Sequence, residues 1–555
     1  MVHAEAPSSW PYLPDAPAQQ GATQLSAHLV PPSGMTALLP SSAPVSPTEA
    51  RWLEGLTLPD LPVRIDARVL EYLRFYRDSE RGRALALQWA LRSGRFVEAV
   101  QAELERAALP VDLVWLSMVE SGHDPSIRSR AGALGLWQFM PSTARTYGLA
   151  VDRWVDERYD PDLSTLAAAR FLRDLHERFG SWELAMAAYN MGPGGISRAI
   201  QKYNTNDYWL LSRYEAAIPR ETALYVPKIV ATALVMNNKS AFGLAEVVPS
   251  GLESHDTIVV DAGRALSEVA QAAGVPVTEV LRLNPQFVAK RAPPAGHGLP
   301  HWRVHLPSGK GAGVAARLQA LPPSPVAPAA AQVEIERTPV TKAVEDSGAL
   351  EVSVPGPRVA VVPARRFQYT TRTPVFYEVR SGDRLEAIAA AFRVTEPELL
   401  LWNSLDPRAR LQPGQVLQLF VDQKRSLAGV RHATRPEVQV LEAGSAEFYD
   451  YFEARAGRVR LVVAARAGDT LRRIGDRYGL RANSMERINQ RSRNEVLAAG
   501  DEVVVYVKPW RAAQAGDRRV AKRAAPTEAL SPSEPSGAGL SAPELAPTIS
   551  TERVR

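Results

Sequence analysis

Glu120 closes the segment VWLSMVE, in which every residue before it except Ser117 is apolar. On a helix, Leu113, Leu116 and Glu120 fall at i, i+3 and i+7, so the carboxyl group shares the stripe that faces a core. Desolvation disfavours the ionised carboxylate and raises its pKa, and an acid still protonated near neutral pH can donate to a leaving oxygen. Glu120 is therefore the candidate general acid. The same position also suits a plain structural role, capping the helix end or pairing with Arg128 or Arg130, and periodicity leaves both readings open. Other acids make a weaker case: Asp124 and Asp160 each precede Pro and read as turn formers, while Asp152 and Asp156 lie in a polar, Arg-containing stretch. The residues thus support one candidate catalytic carboxyl.

Other chemistries find little footing. The chain has 0 Cys, which removes disulfides, zinc–thiolate sites, a thiol nucleophile and a thioether-linked lipid anchor. His297, His301 and His305 are spaced by four, but Gly298 and Pro300 intervene and Trp302 to Leu306 reads as a strand, so no shared metal is expected. No phosphate-cradling glycine loop is present, and no cofactor is expected. Lys and Arg number 65 against 60 Asp and Glu, a net +5 that favours contact with anionic polymers but is too balanced for a nucleic-acid binder. The Arg-rich run from Arg472 to Arg493 reads as a solvated helical face. No window approaches the ~18 apolar residues of a membrane span. Met1 to Pro47 is Ala/Pro/Ser-rich without a basic start and apolar run, so no export signal is visible.

The elements that must position Glu120 are helical. Residues 1–50 read as a disordered lead-in and 51–109 as an N-terminal helical segment with an apolar stripe through Leu70, Leu73, Leu85, Leu87 and Leu91. From 110 to 245 the helical pattern continues, broken at Met140-Pro141 and at Gly192 to Gly195, which predicts an all-α unit. Residues 309–370 and 511–555 are rich in Ala, Pro, Ser and Val and read as a flexible linker and a disordered tail.

The modules between them are repeats. Laying Tyr377 onward over the segment from Leu461 pairs Gly382 with Gly468, Asp383 with Asp469, Leu385 with Leu471, Ile388 with Ile474, Phe392 with Tyr478, Asn403 with Asn489 and Gly414 with Gly500, all at one offset. The pattern predicts strand, helix, helix, strand at 375–421 and 459–508. A fainter copy at 256–307 keeps Gly263, Leu266, Val269 and Asn284 but has Arg264 in place of the Asp. The whole is expected to be multidomain: an all-α domain followed by small α+β modules.

A strand, Gly-Asp-x-Leu, two small helices, an Asn and a closing Gly turn and strand resemble a LysM module, and the resemblance implies a shallow groove for N-acetylated glycans. Gly382, Asp383, Asn403, Gly468, Asp469 and Asn489 would line it, although turn-making and helix-capping account for them equally well. Three ordered blocks upstream, Glu120-Ser121, Gly132 to Pro141 (GALGLWQFMP) and Ala187 to Gly192 (AAYNMG), followed by Glu221 to Pro227 (ETALYVP), resemble the lysozyme-like domain of family-1 lytic transglycosylases. By that resemblance Glu120 is the single acid/base, and Ser129, Gln138, Met140, Tyr189, Asn190 and Tyr225 line the substrate cleft. Trp137 stands where many relatives carry Met, and no lipid-bearing Cys exists.

With one acid, the substrate must supply its own nucleophile. In murein the 6-hydroxyl of N-acetylmuramic acid can close onto its own anomeric carbon. The expected reaction is non-hydrolytic cleavage of the MurNAc–GlcNAc β-1,4 bond, leaving a 1,6-anhydro end, with Trp137 and Tyr189 as candidates to stack on sugar faces. The alternatives are a non-catalytic peptidoglycan-binding protein and a hydrolytic muramidase. The expected partner is the peptidoglycan glycan strand, held by flexibly tethered modules that raise its effective concentration. That substrate places the protein in the cell envelope, in the periplasm.

Overall fold

The computed structural model describes residues 46–251, 254–297, 299–321, 358–363 and 367–514. The greater part of the expected lead-in, linker and tail lies outside these residues. Stretches expected to be connecting chain also carry elements: α1 (Pro47–Glu54) begins inside the lead-in, a helix at Val314–Gln319 and β3 (Arg358–Val362) lie inside the linker, and a helix at Pro509–Gln514 runs into the tail.

The helical half runs through α2 (Ala67–Asp78), α3 (Glu80–Arg106), α4 (Val114–Ser121), α5 (Pro141–Thr146), α6 (Pro161–Phe179), α7 (Trp182–Met191), α8 (Pro193–Tyr203), α9 (Tyr208–Leu211) and α10 (Arg220–Asn237). Local chemistry sets the starts. Asp66, Ser79, Asp160 and Ser181 each accept hydrogen bonds from amides of the first turn, and Pro161 and Pro193 occupy the first helical position, where no N–H is needed. The helix carrying Glu120 stops abruptly, because Gly122 and His123 both adopt left-handed conformations, with φ of 61° and 55°. His123 is fully buried and meets Ser117 Oγ at 2.9 Å through Nε2, tying this turn back to α4.

Helix α10 is buried on nearly every side, which suits an apolar central helix. Pro227 lies in its interior, where the missing N–H orphans the carbonyl four residues back. That carbonyl belongs to Ala223, and it accepts instead from Arg68 Nη1 and Tyr208 Oη, each at 3.0 Å. Arg68 is in turn held by Asp66, at 2.6 Å, so a buried ion pair exists to complete a proline-interrupted helix.

The loop between α4 and α5 is organised by a second buried pair, Arg158 and Asp156 at 2.7 Å. Arg158 Nη1 donates to the carbonyls of Gly132 and Phe139. A Cβ at Gly135 would sit 1.9 Å from the Arg158 carbonyl oxygen, so only glycine fits where the loop presses on this arginine. Isolated antiparallel bridges, Arg128 with Leu134 and Leu134 with Phe139, are the loop's own β structure.

Three βααβ modules follow: β1 (His255–Asp261), α11 (Leu266–Ala273), α12 (Val277–Leu283) and β2 (His301–Pro307), with an added α13 (Val314–Gln319); then β4 (Arg372–Glu378), α14 (Leu385–Phe392), α15 (Glu396–Asn403) and β5 (Val416–Asp422); and finally β8 (Val459–Ala464), α17 (Leu471–Tyr478), α18 (Ala482–Asn489) and β9 (Glu502–Val507). In each, the outer strands pair antiparallel. The three repeated asparagines share one job. Asn284, Asn403 and Asn489 each donate to a carbonyl in the second helix and to one in the closing strand, and each accepts an amide from that strand.

The modules are docked on the helical half. Before the third comes β6 (Ala433–Thr434), then β7 (Val438–Glu442), which pairs in parallel with β3, and α16 (Ala446–Arg455), which inserts Phe448 and Tyr449 into the helical core. Burying a Phe of this kind stabilises by about 1.5–3 kcal/mol. The second module is held by a buried polar seam: Asn204 bonds Val361 and Val416, Asn206 bonds Asp406 and Ala409, and Arg408 reaches the buried Glu183 at 2.9 Å. Among the described residues the second and third modules contact the helical half, and most of the expected linker lies outside those residues. Among those residues no helix is long and apolar enough to cross a membrane.

Candidate active site

Glu120 projects from the last turn of α4 into a cavity of ≈360 Å³, within the size range of ligand sites. Helix α10 forms one wall with Glu221, Leu224, Tyr225 and Lys228, at i, i+3, i+4 and i+7, hence on one face. Asn190, at the end of α7, Tyr72, on α2, and Arg220, at the start of α10, also line the helical side. The remaining wall comes from the third module: Asn483 and Glu486 on α18, and Arg493 just beyond it.

The electrostatics of Glu120 follow from these neighbours. Burial pushes its pKa up to about 7; the Tyr225 hydroxyl, donating to Oε1 at 2.5 Å, and the charge of Lys228 pull it down, and Glu221 pushes it up. Lys228 is itself driven down to about 8 by burial, against the pull of Glu120 and Glu221. Burial and the Glu120 charge hold the hydroxyls of Tyr189 and Tyr225 well above the ordinary tyrosine range, so both are donors at neutral pH. A carboxyl group poised near its midpoint can release a proton and take one back in the same turnover.

Of the residues expected to line the cleft, Glu120, Asn190 and Tyr225 meet in this cavity. Asn190 is oriented by Thr222, whose hydroxyl donates to its Oδ1 at 2.7 Å. Tyr189 lies beside Glu120, but its hydroxyl donates to the Trp137 carbonyl at 2.7 Å and its ring packs against Phe171. Ser129 and Gln138 stabilise the α4–α5 loop: Ser129 Oγ accepts from Ala133 N, and Gln138 Nε2 donates to the carbonyls of Ile127 and Gly135. Met140 is exposed at the end of the same loop. Trp137 is fully buried, its indole N–H bonded to Thr165 at 2.9 Å, so it is core and does not offer a face to a sugar.

The other candidate acids cap local structure, Asp124 accepting from Ser126, Asp152 from Trp154 and Asp160 from Leu163. Sequence reasoning missed Glu221 and Lys228, although their spacing with Tyr225 places all three on one face. The histidines go to separate partners: His297 to Asp152, His301 to Asp261 and His305 to Thr257.

In the modules, Gly382 and Gly468 take φ of 88° and 81° in the strand–helix turns, and the adjacent Asp383 and Asp469 accept from the amides of Arg380 and Arg466. Asn403 and Asn489 spend both amide donors inside their own modules, which leaves neither donor for a glycan.

Comparison with known proteins agrees with this architecture. A transglycosylase SLT domain matches residues 99–212, LysM domains match 377–420 and 465–505, and the LysM-like domain of lytic transglycosylase MltD matches 254–322. The chain is 28% identical to membrane-bound lytic murein transglycosylase D of Escherichia coli K12 over 75% of its own length and 77% of that protein. It is 34% identical to the peptidoglycan transglycosylase gp16 of phage T7 over 21% of its length and 9% of the relative, and 32% identical to the soluble lytic murein transglycosylase of Salmonella typhimurium over 14% and 13%. With its SLT domain, MltD-type LysM-like module and two LysM modules on one polypeptide, the chain has the domain make-up of a peptidoglycan lytic transglycosylase.

Proposed function

We propose that the protein cleaves the MurNAc–GlcNAc β-1,4 bond without water and leaves 1,6-anhydro-MurNAc ends. The observation that carries this reading is the partly buried Glu120, held near neutral pKa and bonded by Tyr225. Protonated Glu120 donates to the glycosidic oxygen. As carboxylate it then takes the proton of the muramoyl 6-hydroxyl while that oxygen closes onto the anomeric carbon. Tyr225, keeping its own proton, stabilises the carboxylate between the two transfers, and Asn190 is positioned by Thr222 to bond the substrate. Ser129, Gln138, Met140 and Tyr189 shape the approach to this centre, and the Gly382–Asp383 and Gly468–Asp469 turns are the parts of the LysM modules offered to glycan. The substrate places the enzyme in the cell envelope, on the periplasmic side.

Glu221 lends a specific observation to the second reading, hydrolysis. It is a second carboxylate on the same cavity, in the first turn of α10, where a helix N-terminus favours negative charge. Digestion of purified sacculi with mass spectrometry of the products separates the two. Anhydro ends from wild type, lost in Glu120→Gln and kept in Glu221→Gln, are expected. Reducing ends from wild type overturn the non-hydrolytic reading, and equal digestion by Glu120→Gln removes that residue from the mechanism.

A further inference from the structure

Arg220 begins α10, immediately before Glu221, and lines the same cavity. It is only 7% exposed, yet its Nε and Nη2 are buried without any hydrogen-bond partner. A guanidinium cannot shed its proton to escape burial, so a buried Nε/Nη2 edge without a partner, on a residue that lines a cavity, is a costly arrangement unless a ligand completes it. The carboxylates around it do not. Glu71, Glu486 and Glu495 act on Arg220 only through space; Glu486 is bonded to Arg493, and Glu495 Oε1 is held by Arg491 at 2.8 and 2.5 Å. Arg493 and Arg491 thus hold Glu486 and Glu495 Oε1, and the Arg220 fork is left without a partner.

The fork also sits at a seam. The adjoining loop is bonded to the third module: Arg487 donates to the carbonyls of Ala216 and Ala217, Gln490 to Ile218, and Arg460 reaches Glu215. Asn483 and Glu486 therefore face Arg220 across a cavity whose roof is supplied by a LysM module. Arg220 precedes Tyr225 by five residues on one helix, a rise of about 7.5 Å, comparable to one sugar ring plus a substituent.

We propose that Arg220 reads a carboxylate on the peptide carried by the muramoyl ring, binding it through two parallel N–H donors beneath the third module. Nε and Nη2 form the planar edge that matches a carboxylate bidentately. The inference rests on the peptidoglycan reading above and adds to it a preference: peptide-bearing strands over stripped ones. It also explains why a glycan-binding module is fixed over the catalytic cleft rather than left at a distance.

The test uses the full chain with Glu120→Gln as the uncleaving background, and two defined tetrasaccharides of alternating GlcNAc and MurNAc, one carrying peptide and one without. Calorimetric affinities are measured with Arg220, Arg220→Gln and Arg220→Lys. Arg220→Gln is expected to weaken binding of the peptide-bearing saccharide by about tenfold or more and leave the bare one within about twofold. Arg220→Lys, which keeps the charge without the fork, recovers part of the loss. An equal loss on both saccharides, or no change on either, overturns the assignment. Product analysis of wild type on sacculi is scored separately, so failure of the cleavage reading is distinguishable from failure of this one. Arg220→Gln removes a buried unpaired charge, so its melting temperature is expected not to fall; unfolded variants would be seen there, and Arg220→Lys then carries the comparison.

Discussion

If burial holds the Glu120 pKa near 7, the carboxyl group must destabilise the fold whenever it is ionised. Its ordinary value is 4.5 and its value in the fold is about 7. Between those pH values the folded state binds the proton that the unfolded state has released, so stability falls as pH rises through this window and the loss is complete above it. At about 1.36 kcal/mol per pKa unit, the integrated cost is about 3 kcal/mol at pH ~7.5 and under about 1 kcal/mol at pH ~5. Glu120→Gln removes the titration while keeping shape and hydrogen-bonding capacity. The variant is therefore expected to melt about 6–12 °C above wild type at the higher pH, and close to wild type at the lower one. Differential scanning calorimetry of the full chain at both pH values measures this, following the transition that contains the helical half. A variant no more stable than wild type at pH ~7.5, or a difference independent of pH, would refute desolvation as the cause of the shift and with it the argument that Glu120 is poised as an acid. A residue with a purely structural role, paired to an arginine, would give the opposite sign.

Further outcomes follow from the same geometry. Tyr225→Phe removes the donor that favours the Glu120 carboxylate; losing a hydrogen bond to a charged group, worth about 1.5–3 kcal/mol, should move the alkaline limb of the pH–rate profile upward by about 1–2 units while lowering the maximal rate. Tyr208→Phe leaves the Ala223 carbonyl with Arg68 alone and is expected to cost about 1 kcal/mol, but less in a Pro227→Ala background, where the helix amide reclaims that carbonyl. Urea denaturation of the four proteins closes that cycle, and equal costs in both backgrounds would sink the account of the proline. Asn206→Ala breaks bonds to Asp406 and Ala409 at the buried seam, so limited proteolysis should cut between the helical half and the second module faster than in wild type.

What could be read from residues alone was what obeys a short period. The stripe Leu113, Leu116, Glu120 placed the acid, and the constant repeat offset placed the modules with their strands and helices. The cavity could not be read the same way, because its walls come from segments far apart in sequence. Glu221 and Lys228 did carry a local signal, the i, i+4, i+7 spacing with Tyr225, but a helix as apolar as α10 offers several such faces and nothing local says which one meets Glu120. Trp137 was offered to the sugar on its type, and burial against Thr165 decided otherwise. Ser129 and Gln138 belong to motif blocks, yet their side chains hold the loop's own backbone.

The docking of the modules was the least legible feature, for a physical reason. Asn204, Thr205 and Asn206 are of the residue types that favour turns, and turns are normally solvated. Here they are buried under the second module, where unmet amides would be expensive, and partners across the seam satisfy them. Polar seams of this kind specify one arrangement more than they drive association, since each bond replaces one to water. The apolar contribution comes instead from Phe448 and Tyr449 of α16, a segment without any motif of its own. Position is thus set by asparagines and adhesion by aromatics. Arg487 and Gln490 then tie α18 to the loop before α10, so the third module supplies part of the wall of the cavity that holds Glu120.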